Sequence, residues 1–229
     1  MPHRDLYCSE ASEILSKVSE LIANSIETSA KAERQVKYSG QRWVTTLFVQ
    51  LAQPVSGNGP YQDEILDEYR AIIERSIGHH HGDVVALSHD AALALFMGDG
   101  HPQEHTQDGV NAATSLLDQI GQLNIQRLTQ YLAPLRIGIG LDAGVLNVLG
   151  CNRHPLLDPG LEGYLKKVRR LSDLNCQTPF PAIFISHTVA DRLNQDQRYS
   201  IQCLGDVFVE NQADPIVVYA LMNGETVPK

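Results

Sequence analysis

Apolar positions along the chain recur at two spacings, threes-and-fours and twos, and each change of spacing marks an element. Residues 9 to about 36 carry Ile14, Val18, Leu21, Ile22 and Ile26 three and four apart, with Glu, Lys and Ser between them. That spacing predicts a polar amphipathic helix with a thin apolar stripe, suited to packing on its own domain or to meeting the same helix of a second chain. Tyr38-Ser39-Gly40 ends the pattern. WVTTLFVQLA, Trp43 to Ala52, then reads as a strand of aromatic and β-branched residues, followed by the loop QPVSGNGP. DEILDEYRAIIERSI returns to helical spacing through Ile65, Tyr69, Ile72, Ile73 and Ile77.

Val84 to Leu87 and Ala91 to Phe96 are two short apolar runs separated by Ser88, His89 and Asp90, which predicts a tight hairpin. HTQDGVNAATSLLDQI is a second helix, with Val110, Ala113, Leu117 and Ile120 on one face. Leu135 to Gly150, LRIGIGLDAGVLNVLG, reads as a second hairpin turning near Asp142-Ala143-Gly144. LEGYLKKVRRLSDL is a third helix. The strand AIFIS, the short helix HTVADRLN and strands near Tyr199 to Cys203 and Ile216 to Leu221 complete the chain. The order β-α-β-β-α-β-β-α, with consecutive strands joined by hairpins, predicts an α+β domain of ferredoxin-like plan. Its antiparallel sheet would carry helices on one face. The expected division is a helical extension over residues 1–38 and one domain over 39–229.

Composition narrows the function. A net charge of −9 without a basic stripe argues against a nucleic-acid surface. Cys8, Cys151, Cys176 and Cys203 form no CxxC pair, which fits a reducing cytoplasm and neither a zinc site nor a disulfide framework. No apolar run approaches the roughly 20 residues that span a bilayer, and MPHRDLYCSE lacks the apolar core of a signal peptide. The adjacent His79, His80 and His81 point different ways and read as a solvated loop. His101 and His105 have a zinc-like HxxxH spacing, but Pro102 between them argues against a helical pair. IGIGLDAG departs from the dinucleotide-binding fingerprint, and there is no P-loop or nucleophile elbow. Asp90 at the hairpin turn has two readings: a turn residue bonding nearby backbone N–H groups, or a carboxylate aimed at a ligand.

Five segments, in order, resemble the class III adenylate/guanylate cyclase catalytic domain. VTTLFVQLA is similar to that family's first strand, usually VTVLFADI; GDVVALSHDAALALFMGD resembles its acid-bearing hairpin. HPQEHTQDGVNAA resembles HEDHAERAVRAA, RIGIGLDAGVLNVLG resembles RIGIHTGEVVVGNIG, and LEGYLKKVRRLSDL matches the helix usually reading GDTVNLAARLE. The similarity runs from about residue 43 to 221.

The resemblance implies a site in which a nucleoside triphosphate's 3′-hydroxyl attacks its own α-phosphate between two metal ions held by two acids. It places the hairpin acid on Asp90 and the first-strand acid on Gln50, whose neutral carbonyl cannot hold two Mg²⁺ against hydration. The phosphate loop falls on QLAQPV, where Pro54 has no N–H to give. The base-selecting position falls on Ala86, its partner near Pro159, the transition-state Asn on Lys166 and the transition-state Arg on Arg170. Asp90 and Arg170 are thus remnants of a metal and a catalytic position, and Lys166 is a point charge able to attract a nucleotide phosphate. Asp90 could also serve only its turn, and Arg170 only a solvated helix face. The expectation is a degenerate cyclase-like module that regulates, dimerises or binds a partner, as a homodimer or beside a related cyclase domain. It would need no cofactor, with Mg²⁺ or Mn²⁺ relevant only if activity survives. The alternatives are a divergent cyclase making cyclic AMP or cyclic GMP, and a nucleotide sensor without turnover.

Overall fold

Two long strands, β1 (Tyr38–Leu51) and β4 (Ile137–Gly150), pair antiparallel along their whole length, from Tyr38 against Gly150 to Leu51 against Ile137. They form the spine of the domain in this computed structural model, which describes residues 38–53, 60–97, 101–150, 156–157, 161–178, 182–193, 198–208 and 215–223. The expected helix at 9 to 36, the extension to which it belongs, and Pro54 and Pro159 lie outside the described residues.

The elements between are α1 (Pro60–His79), β2 (Asp83–Leu87), β3 (Ala91–Phe96) and α2 (Pro102–Thr129). After β4 come β5 (Leu156–Leu157), α3 (Leu161–Cys176), β6 (Ile183–Ser186), α4 (His187–Leu193), β7 (Tyr199–Val207) and β8 (Ile216–Asn223). The sheet order is β2-β3-β1-β4-β6-β8-β7, with β5 on β4. Every pairing is antiparallel except β4 with β6. The α+β class, the hairpin at Ser88 to Asp90 and the helices over 63–77, 105–120 and 161–174 stand as read from the sequence.

Three expectations change. Tyr38-Ser39-Gly40 is strand, because β4 extends far enough to supply ladder partners down to Tyr38. Asp142-Ala143-Gly144 is no turn: β4 runs straight through it, held by β1 residues Val44 to Thr46. The helices cover both faces. Leu47, Val49 and Leu51 of β1 share a core with Ala92, Ala94 and Phe96 of β3 and with residues of α1, α2 and α4. Val44 and Phe48 point the other way, to Leu93, Leu95 and the α3 residues Leu165 and Val168. Val44 to Leu51 is buried on both faces, so apolar and polar positions do not alternate along it and no period of two revealed the second layer. Pro102 opens α2 from the first helical turn, where a missing N–H costs nothing; His101 precedes the helix and His105 lies in it, so the two do not form a helical pair.

Candidate functional site

Gln50, at the end of β1, lies beside both the β2–β3 turn and α3. The Leu51 N–H donates to the Asp90 carbonyl at 2.7 Å, and Tyr69 from α1 donates to the same oxygen at 3.3 Å. Burial first, and Asp90's charge second, hold the Tyr69 phenol well above its ordinary range. Asp90 therefore sits beside the end of β1, as the resemblance implies. Its carboxylate accepts the Ser88 hydroxyl at 2.7 Å, and Ser88 Oγ also accepts the Ala91 N–H at 3.0 Å. The backbone N–H groups of the turn are thus taken by Ser88 rather than by the Asp90 carboxylate, which reaches them only through the Ser88 hydroxyl.

Gln50 opposes Ala91 of β3 and Gly138 of β4, on the α3 face of the sheet. It is only 8% exposed, and its amide Nε2 donates to Asp173 Oδ1 at 2.7 Å. Next to this pair, burial and then the Asp173 charge push the Cys176 thiol up to about 12. Asp173 was not singled out from the sequence. The available signal was its spacing: Lys166, Arg170 and Asp173 stand at i, i+4 and i+7 and so share one stripe of α3. Arg170 is partly buried, with its Nε enclosed and lacking a hydrogen-bond partner among the described residues. Ala86 lies opposite Leu93 and packs against the α3-side cluster, a setting with no hydrogen bond for a base edge.

α3 is set against the sheet by close approach and by polar bonds. A Cβ on Gly138 would lie 2.4 Å from the Ser172 carbonyl, and one on Gly140 would lie 2.3 Å from that of Val168. These glycines let helix backbone touch strand backbone. Ser172 Oγ donates to the Gly138 carbonyl at 2.9 Å, and Asn175 Oδ1 accepts the Ile139 N–H at 2.7 Å. Asp142 is fully buried; Lys167 Nζ stands 3.0 Å from its Oδ2 in an ion pair not aligned as a hydrogen bond, and Oδ1 accepts the Ala143 N–H at 2.9 Å.

Neither a protein-family model nor a curated protein matches the sequence. Solved structures do match the fold. The adenylyl cyclase CyaB from P. aeruginosa aligns with a TM-score of 0.68 and 14% identity, over 84% of this chain and 100% of that one. The guanylyl cyclase Cya2 aligns at 0.63 and 22%, over 82% and 96%. A dimeric guanylyl cyclase domain of the RhoGC fusion protein from the aquatic fungus Blastocladiella emersonii aligns at 0.59 and 19%, over 80% and 98%. The match is to a mixed, mostly antiparallel sheet flanked by helices. The chain has the class III adenylate/guanylate cyclase catalytic-domain fold.

Among the described residues, no three His, Cys, Asp or Glu side chains converge where a metal ion could sit. None of the described helices is long and apolar enough to cross a membrane.

Proposed function

We propose that this chain is a cyclase-fold module that works without cyclisation, regulating, dimerising or binding a partner in a signalling context. The observation that carries the reading is Gln50. The position that would need a carboxylate holds a neutral amide, and that amide is committed to Asp173. With Asp90 engaged by Ser88, the donor set does not suit two divalent cations. Losing each electrostatic group of this kind costs about a hundredfold or more in rate. No cofactor is needed for the function proposed, and a cytoplasmic setting fits cysteines that form no CxxC pair.

The Blastocladiella guanylyl cyclase domain is dimeric, and a double mutant of it is monomeric. A homodimer is the assembly proposed here, with the apolar stripe at Ile14, Val18, Leu21 and Ile26 contributing, and a heterodimer with a related cyclase domain as the other form. Light scattering checks this: a mass near twice 25.3 kDa supports the homodimer, and a single-chain mass of 25.3 kDa, with the chain still monomeric after residues 1–38 are removed, contradicts it.

A sensor reading is favoured by one observation, the enclosed Nε of Arg170, which has no hydrogen-bond partner among the described residues, on the stripe it shares with Lys166. Incubating the full chain with ATP or GTP and Mn²⁺ separates the readings. No cyclic product is expected. Product would establish a divergent cyclase, and nucleotide-dependent thermal stabilisation without product would establish the sensor.

A further inference from the structure

We propose that Gln50 and Asp173 form a strand-to-helix clasp that stands where the resemblance puts the two-metal cradle, closing that end of the sheet with an amide–carboxylate bond in place of a cation. The proposal deepens the non-cyclising reading above and rests on it.

Only the amide nitrogen can face a carboxylate, so the polarity of the bond is fixed. A buried amide left without a partner is costly, and a bond to a charged acceptor is stronger than a neutral one. The partner is available because α3 lies hard against β4 at Gly138, the residue opposite Gln50. Any side chain at 138 would meet the Ser172 carbonyl and Cys176 Sγ, lift the helix and withdraw Asp173. Asp173 also shares the stripe of Lys166 and Arg170. The clasp therefore fixes the rotational phase in which α3 presents these two cations, and both Gln50 and Asp173 are positioning residues.

An isosteric swap in the full chain tests this. Gln50→Glu alone sets two carboxylates against each other, and Asp173→Asn alone removes the charged acceptor. Each is expected to lower the melting temperature by roughly 3–8 °C. The double variant Gln50→Glu/Asp173→Asn reverses the bond and is expected to return to within roughly 2 °C of wild type. Losses that simply add in the double variant would overturn the clasp. Mn²⁺ is expected to raise the melting temperature of Gln50→Glu, where two acids can now chelate, and to leave wild type unmoved. An equal rise in wild type would overturn the metal-free part. Cyclic product from wild type would refute the non-cyclising reading alone, because the melting cycle reads the clasp independently of activity.

Discussion

The two faces of the sheet are held by different physics. Against α1 and α2 the contact is mainly apolar: Leu47, Ala94 and Phe96 cluster with Ile73, Val110 and Leu116, all almost fully buried, while the Thr45–Thr106 hydroxyl pair and the Tyr69–Asp90 bond add polar contacts. Such packing is non-directional and tolerates exchange of similar volumes. Against α3 the contact is specific. Glycines of β4 admit the helix backbone, and Ser172, Asn175, Lys167 and Asp173 each reach a particular strand group. A hydrophobic face says that a helix packs there; polar bonds and missing side chains say at what height and in what phase. The candidate site lies on the face whose geometry is fixed more tightly.

The comparison can be tested by damaging each face in turn. Phe96 fills the space beside Gly82 and Gly109, and is 1% exposed. Phe96→Ala is expected to cost about 4 kcal/mol, a fall of roughly 8–16 °C in melting temperature. Phe96→Leu should recover much of it, as befits non-directional packing. Lys167→Ala strands the buried Asp142 carboxylate and is expected to cost about 3 kcal/mol by denaturant unfolding. Here a change of partner should matter more than a change of volume: adding Asp142→Leu should restore most of the loss. If Lys167→Ala costs no more than an exposed-surface substitution, the α3 face is not held by its polar bonds.

These contrasts explain what was legible in the sequence. Ile65, Tyr69, Ile72 and Ile73 showed their helix at once, because a one-sided apolar face has a period. The second layer was hidden because β1 is buried on both sides. Asp142-Ala143-Gly144 carried turn chemistry, yet strand pairing with β1 and an ion pair to Lys167 overrode it. The better signal was the alternation Gly138, Gly140, Gly144. Glycines an even number of positions apart along a strand clear one face for a close neighbour, and all three meet α3 residues. The changed family position at Gln50 was visible in the sequence. Its bond to Asp173 was not, since the two lie 123 residues apart.

A smaller effect sharpens the α3 side further. Burial raises the Cys176 thiol from 9.0 to about 12, and raises the Tyr69 and Tyr164 phenols as well. An acid whose folded pKa is raised stays protonated in the fold while the unfolded chain ionises. Its contribution is therefore intact below about pH 9 and is lost as pH climbs toward 12. Stability should fall across this alkaline range, and Cys176→Ala should flatten the decline measured by urea unfolding at stepped pH. An unchanged slope would mean that this thiol is not protected by the helix–strand contact.

Calorimetric titration of the full chain with Mn²⁺ tests the central claim most directly, namely that the end of β1 no longer holds catalytic metal. No saturable binding in the micromolar range is expected, because Gln50 supplies no charge and is bound to Asp173. Micromolar binding that Asp90→Ala abolishes would contradict the account.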